Sequence, residues 1–229
     1  MQNKGKNIFR EYFELIVETA VFVFFVLTFV VQAFQIPTGS MIPKLLVGDF
    51  LLVNKMAYAR PSSSLEGLLM PHKPMKRKDI VVFKWPQNPT KDFVKRVIGL
   101  EGDKVEIRAK RLYVNDEAID EPYKIHKDEQ AYSKDDAYHY DLAIRDNYGP
   151  ILVPAGNLFV MGDNRDDSAD SRTWGFVPLD NIKGRPWVIY FSYEAERDAY
   201  LKTSLRDRLK KIFNFIPKAR WRRILKFVN

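Results

Sequence analysis

Asp79-Ile-Val-Val-Phe-Lys-Trp85 is the stretch that decides the fold. Four consecutive apolar residues, three of them β-branched, sit between an aspartate and a lysine-tryptophan pair. The run is short and extended in pattern and reads as a strand. Working outward, Asp49-Phe-Leu-Leu-Val-Asn-Lys55, Phe93–Leu100, Val105–Ile107, Arg111–Val114 and Asn157–Met161 have the same character. Each is a short extended run bounded by Pro, Gly, Asp or Asn. Strands at such close spacing, with no long helical pattern between them, predict a mainly β domain and argue against βαβ units. Residues 37–200 are taken as this domain. Glu117–Pro150 is polar, tyrosine-rich and without strong alternation, so about 106–153 reads as a smaller inserted subdomain.

The two ends of the chain have a different character. Thr19–Pro43 is 25 residues long without a formal charge. A helix from Ile16 to Ile36 would cross the roughly 30 Å hydrocarbon core of a bilayer. Residues 15–36 are therefore expected to form one transmembrane anchor, with 1–14 as a cytoplasmic N-terminus because Lys4, Lys6 and Arg10 precede the span. A cleaved signal peptide is the competing reading, and Glu11, Glu14 and Glu18 argue against it, since that leader region is normally basic.

The chain of 229 residues carries a net charge of +8, and the excess is local. Residues 202–229 hold ten Lys/Arg and one Asp, a net of +9, which leaves −1 for everything before them. No nucleic-acid-binding motif accompanies the charge, so nucleic acid is not an expected partner. In 201–229, Leu201, Leu205, Leu209, Ile212 and Phe213 fall at helical spacing among Arg and Lys. This predicts a basic amphipathic C-terminal helix suited to anionic lipid, or alternatively a packed helix with a solvated basic face. Cysteine is absent, which removes thiol nucleophiles, disulfides and thiolate metal sites together. The three histidines, His72, His126 and His139, form no HExxH and no pair at i,i+4, so a zinc protease of that kind is not expected, and no cofactor is called for.

Three motifs can carry chemistry. Ile36-Pro-Thr-Gly-Ser-Met-Ile-Pro-Lys-Leu-Leu-Val-Gly-Asp49 begins where the apolar segment ends, and its prolines make a rigid loop able to present the Ser40 hydroxyl. Lys91-Asp-Phe-Val-Lys-Arg-Val-Ile-Gly-Leu-Glu-Gly-Asp103 places Lys95 on one strand face with Phe93 and Val97. A buried lysine loses its proton more readily and becomes a usable base. Lys55, on a face with Leu51 and Val53, is a rival. Met161-Gly-Asp-Asn-Arg-Asp-Asp-Ser-Ala-Asp-Ser-Arg-Thr-Trp-Gly-Phe-Val-Pro178 resembles a calcium loop at first sight. It has Ser168 and Trp174 where that loop needs Gly and Glu, so it reads instead as a loop braced by its own ion pairs.

In this order behind a membrane span, the motifs PTGSMIPxLxxGD, KRVIGLxGD and GDNRDxSxDSRxWGxVP resemble the bacterial type I signal peptidases. The resemblance covers the anchor and most of residues 36–190. It implies an antiparallel β-sheet catalytic domain and a membrane-bound serine endopeptidase that removes signal peptides from exported preproteins, without a metal. The implied setting is the inner membrane, crossed once, with the catalytic domain on the periplasmic face and preprotein signal peptides and membrane lipids as partners.

Residue by residue, the resemblance implies Ser40 as nucleophile and Lys95 as general base. The Ser40 amide and the Thr38 hydroxyl would form the oxyanion hole, and Ser168 would hydrogen-bond and orient the Lys95 amine. Arg96 would pair with Asp163 and Asp170 with Arg172 to brace the third motif. Glu101 stands where the family usually has Pro, and Asp167 where it usually has Asn. The insert is shorter than in relatives with a large second domain. A repressor-type Ser–Lys protease would be soluble and carry a helix-turn-helix, and this chain has neither property. A catalytically inactive, membrane-tethered binding protein of the same fold is the alternative that keeps the anchor. The sequence is silent on oligomeric state.

Overall fold

The computed structural model describes residues 8–58, 74–195 and 217–228. It opens with α1, Ile8–Phe25, which widens into a π-helical turn over Val26–Val30. Ile8–Val30 is long and apolar enough to cross a membrane, and none of its residues is buried. The helix starts earlier and stops earlier than the expected Ile16–Ile36. Val31–Gln35 is instead a strand, β1, paired antiparallel with β2 (Asp49–Asn54) from Val31↔Asn54 to Gln35↔Phe50. Pairing with a neighbouring strand has overridden a local pattern that reads as more helix. Lys55 marks the switch: its amide donates to Val30 O at 2.9 Å and its Nζ to Thr28 O at 2.5 Å. These are carbonyls that a helix end leaves without partners.

The remaining strands are β3 (Ile80–Trp85), β4 (Asn88–Gly99), β5 (Lys104–Arg108), β6 (Arg111–Val114), β7 (Glu117–Ala118), β8 (Tyr148–Leu152), β9 (Asn157–Met161), β10 (Val177–Pro178), β11 (Ile182–Ser192) and β12 (Lys226–Phe227). Two short helices, α2 (Tyr140–Asp146) and α3 (Ser171–Trp174), complete the elements used below. The larger sheet runs β1-β2-β11-β3-β4-β9-β10, with β12 also paired to β11. The smaller runs β7-β6-β5-β8. Every strand pairing in both sheets is antiparallel.

The continuous apolar run of β3 has a simple cause. Ile80 and Val82 belong to one core with Met41, Leu45, Leu51 and Ile189, whereas Val81 and Phe83 belong to another with Val97, Leu158 and Val160. Both faces are covered, so no polar residue alternates. A third core, including Ile98, Val105, Leu112 and Phe159, joins the smaller sheet to the larger.

The tail helix expected around Leu201–Phe213 lies outside the described residues. From Pro217 onward the tail is not α-helical. Trp221–Arg223 is a 3-10 turn and Lys226–Phe227 is β12. Val228 is buried in the core beside Ile189, and Arg223 Nη2 meets Asp49 Oδ2 at 2.5 Å. A proline cannot continue a helix, and the residues that follow this one find their partners in the body of the fold instead.

Candidate active site

Ser40 sits in a turn whose neighbours fix it. Ile36 before it and Met41 and Leu45 after it are core residues, and Leu45 N donates to Met41 O at 2.9 Å. The loop is therefore held at both ends by burial, while Ser40 lines a cavity of about 300 Å³ together with Ile36, Thr38, Phe93, Lys95 and Ala169. Thr38 is exposed at this cavity.

Lys95 comes from the central part of β4, opposite Val81 on β3. Its Nζ donates to Ser40 Oγ at 2.6 Å, and both residues are buried, 4% and 9% exposed respectively. The Phe93 ring lies 5.7 Å from the amine. Burial lowers the Lys95 pKa from its usual value near 10.5 to about 8. Asp170 and Asp163 oppose that shift and Arg172 assists it, all less strongly than burial. A lysine so placed is neutral in a useful fraction of molecules near neutral pH, and its lone pair can take a proton from the hydroxyl in contact with it. The rival Lys55 is engaged at the end of the apolar helix, on Thr28 O.

The third motif wraps this pair. Arg96, next to Lys95 in sequence, binds Asp163 bidentately, with Nε to Oδ1 at 2.7 Å and Nη2 to Oδ2 at 2.6 Å. Asp170 receives Arg172 in the same way, Nε and Nη2 each at 2.8 Å, and also accepts Gly162 N at 3.0 Å. Burial alone would raise the Asp170 pKa, but the Arg172 charge and the hydrogen bonds hold it below the ordinary carboxylate value. Each of these four side chains is fully or almost fully buried, and a buried carboxylate keeps its charge only when compensated in this fashion.

Ser168 departs from expectation. Its Oγ is buried and makes no hydrogen bond, so the contact expected with the Lys95 amine is not formed. It packs instead against Gly162, where any Cβ would lie well inside contact distance of both Ser168 Oγ and Ser40 O. Gly162 is thus a site residue that the sequence reading passes over, although a glycine at the end of a strand, just before an acidic loop, is a signal of close backbone approach. Asn164 is another. Its amide donates to Ser40 O at 3.0 Å and its Nδ2 to Gly39 O at 3.2 Å, tying the third motif to the serine loop. Among the described residues, no group of three His, Cys, Asp or Glu side chains converges as a metal site.

A family model described as signal peptidase, peptidase S26, matches residues 9–191. The chain belongs to the signal peptidase family. Signal peptidase I of Aquifex aeolicus is 36% identical over 215 aligned positions, covering 74% of this chain and 79% of that protein. Signal peptidase I of Pseudomonas fluorescens is 35% identical, covering 80% of this chain and 73% of that protein. A crystal structure of a signal peptidase I from Enterococcus faecalis is 31% identical and covers 49% of this chain and 97% of that one, with a TM-score of 0.39. As a member of this family the chain is a serine peptidase.

Proposed function

We propose that this peptidase is a membrane-bound serine endopeptidase that cuts signal peptides from exported preproteins, with Ser40 as nucleophile and Lys95 as general base. The observation that carries the mechanism is the 2.6 Å contact between Lys95 Nζ and Ser40 Oγ in a buried setting. Neutral Lys95 removes the hydroxyl proton as Ser40 attacks the scissile carbonyl, and the resulting ammonium then protonates the departing amine. Negative charge develops on the carbonyl oxygen, and the Ser40 amide and Thr38 hydroxyl would receive it. Water activated by the same lysine then releases the acyl-enzyme. Ser168, buried beside Gly162 and free of hydrogen bonds, would turn toward the amine once the cleft is filled.

Ile8–Val30 is taken as a single membrane span with the N-terminus inside and the peptidase domain outside. The body offers a surface of its own to the lipid. Trp187 on β11, Trp221, Leu225 and Phe227 are exposed, and the exposed Arg222 and Lys226 lie next to the last three. Aromatic and basic side chains interleaved on one segment suit the headgroup layer of an anionic membrane. The decisive experiment compares wild type and Ser40→Ala on a preprotein with a small-x-small cleavage site. Cleavage by wild type alone is the expected result, and equal cleavage by both would remove Ser40 from the mechanism.

A further inference from the structure

Eight residues of the insert, Glu121–Asp128, lie along the third motif without a hydrogen bond to the side chain of Ser40 or Lys95. Glu121 forms a buried bidentate ion pair with Arg165, one arm of which is Arg165 Nη1 to Oε2 at 3.0 Å. The Tyr123 ring covers the Arg96 guanidinium at 3.9 Å, and its hydroxyl donates to Glu121 Oε1 at 3.1 Å. Ile125 brackets Asn164: its amide donates to Asp163 O at 2.9 Å, and its carbonyl accepts Arg165 N at 3.0 Å. The His126 ring contacts Asp166 Oδ1 at 3.0 Å, while the amides of Lys127 and Asp128 donate to Asp166 Oδ2 at 2.8 and 2.9 Å. The Lys127 amine reaches Asp167 at 2.5 Å.

We propose that Glu121–Asp128 is a positioning strap that sets the distance between nucleophile and base. It grips the pair from both sides. On the serine side, Ile125 fixes the backbone around Asn164, and Asn164 holds Gly39 and Ser40 by two hydrogen bonds. On the lysine side, Tyr123 stacks on Arg96, the residue beside Lys95 on β4. Ser40 and Lys95 are 55 positions apart in sequence, so no local geometry enforces their contact. Something must hold two separate segments in register, because a misplacement of about 1 Å can cost roughly a hundredfold in rate. The shared core holds the serine loop against the sheet, the strap adds contacts that reach both segments, and the inference rests on the reading of Ser40 and Lys95 as the reacting pair.

Three full-length variants test it on the preprotein substrate: Tyr123→Leu, which removes the ring; Tyr123→Phe, which keeps it; and Ile125→Pro, which removes the amide donor. Folding is checked by circular dichroism and thermal melting, and Ser40→Ala runs alongside. Tyr123→Leu should lower kcat about tenfold or more with KM changed less than about twofold. The acidic limb of its kcat/KM profile should move to higher pH, because a less enclosed lysine keeps its proton longer. Tyr123→Phe should recover most of the rate. Ile125→Pro, if folded, should behave like Tyr123→Leu; if it does not fold, the tyrosine pair decides. Folded Tyr123→Leu with wild-type kcat and an unmoved acidic limb, while Ser40→Ala is dead, would overturn the strap and leave the dyad standing. Activity in Ser40→Ala would overturn the dyad and the strap with it.

Discussion

Lys95 is where the physics of single residues is most exposed. The mechanism needs its neutral form, so activity should rise with pH through the folded-state value of about 8 and fall away below it. A kcat/KM profile without a limb between roughly 7 and 9 would contradict this, given a reference lysine near 10.4. Lys95→Arg should be inactive, since guanidinium holds its proton at any accessible pH. The same residue carries a stability cost. The unfolded chain binds the lysine proton up to about pH 10.5 and the folded chain only to about 8, so this group makes stability rise with pH across that window. At neutral pH the penalty is on the order of 3 kcal/mol, taking about 1.4 kcal/mol per pKa unit. Lys95→Met should therefore be dead yet melt higher than wild type at pH 7, and a lower melting temperature would show that the amine is stabilising after all. At Thr38, replacement by Val keeps the shape and removes the donor. A fall of about 10²–10³ in kcat is expected for an oxyanion donor, and a change below about threefold would exclude that role.

At the scale of elements, the loop bearing Ser40 depends on two buried hydrophobic plugs and one glycine. Leu45 is fully buried, and Leu45→Ala should destabilise by about 2–5 kcal/mol in chemical denaturation, through lost transfer energy and the cavity left behind. Gly162→Ala should lower both melting temperature and kcat, because its methyl group would overlap Ser40 O and Ser168 Oγ, and an unchanged kcat would show that the serine loop tolerates the displacement. This is also the scale at which the sequence is most and least legible. Asp49–Lys55, Asp79–Trp85 and Asn157–Met161 are readable as strands because burial, apolar content and polar boundaries coincide there. β11 is not, since Lys183, Gly184, Arg185 and Pro186 break any alternation, and the register shifts by a bulge beside Pro186. β1 is hidden for the opposite reason, as an apolar stretch continuous with a helix. Ser40, Lys95 and the two arginine–carboxylate pairs are visible only as motifs, because three segments distant in sequence make one site. The strap has no signal at all: Glu121, Tyr123 and His126 follow neither period, and their meaning lies wholly in what they meet.

For the whole molecule, the charge and the apolar surface lie on the parts expected to meet lipid. With Ile8–Val30 in the bilayer, protease added outside spheroplasts should digest the body, and full protection would reverse the orientation. In a form that lacks the first 30 residues, replacing the exposed Arg222 and Lys226 by Gln should weaken binding to anionic vesicles, most visibly at low salt, where surface charge is least screened, and unchanged binding would exclude this face from the lipid contact. The join between helix and sheet has a mechanical consequence. Val30 accepts a hydrogen bond from Lys55, and Val31 is already paired in β1, so no slack chain separates the two. A body joined in this way cannot swing like a buoy on a rope; it stands like a post set in a floor. If Ile8–Val30 spans the bilayer, the height of the cleft above the lipid becomes a fixed length, and the position of the cut should depend on that length. Inserting a flexible Gly-Ser segment between Val30 and Val31 would convert the post back into a buoy, and the first property lost should be the fidelity of the cut position, ahead of the rate of cutting.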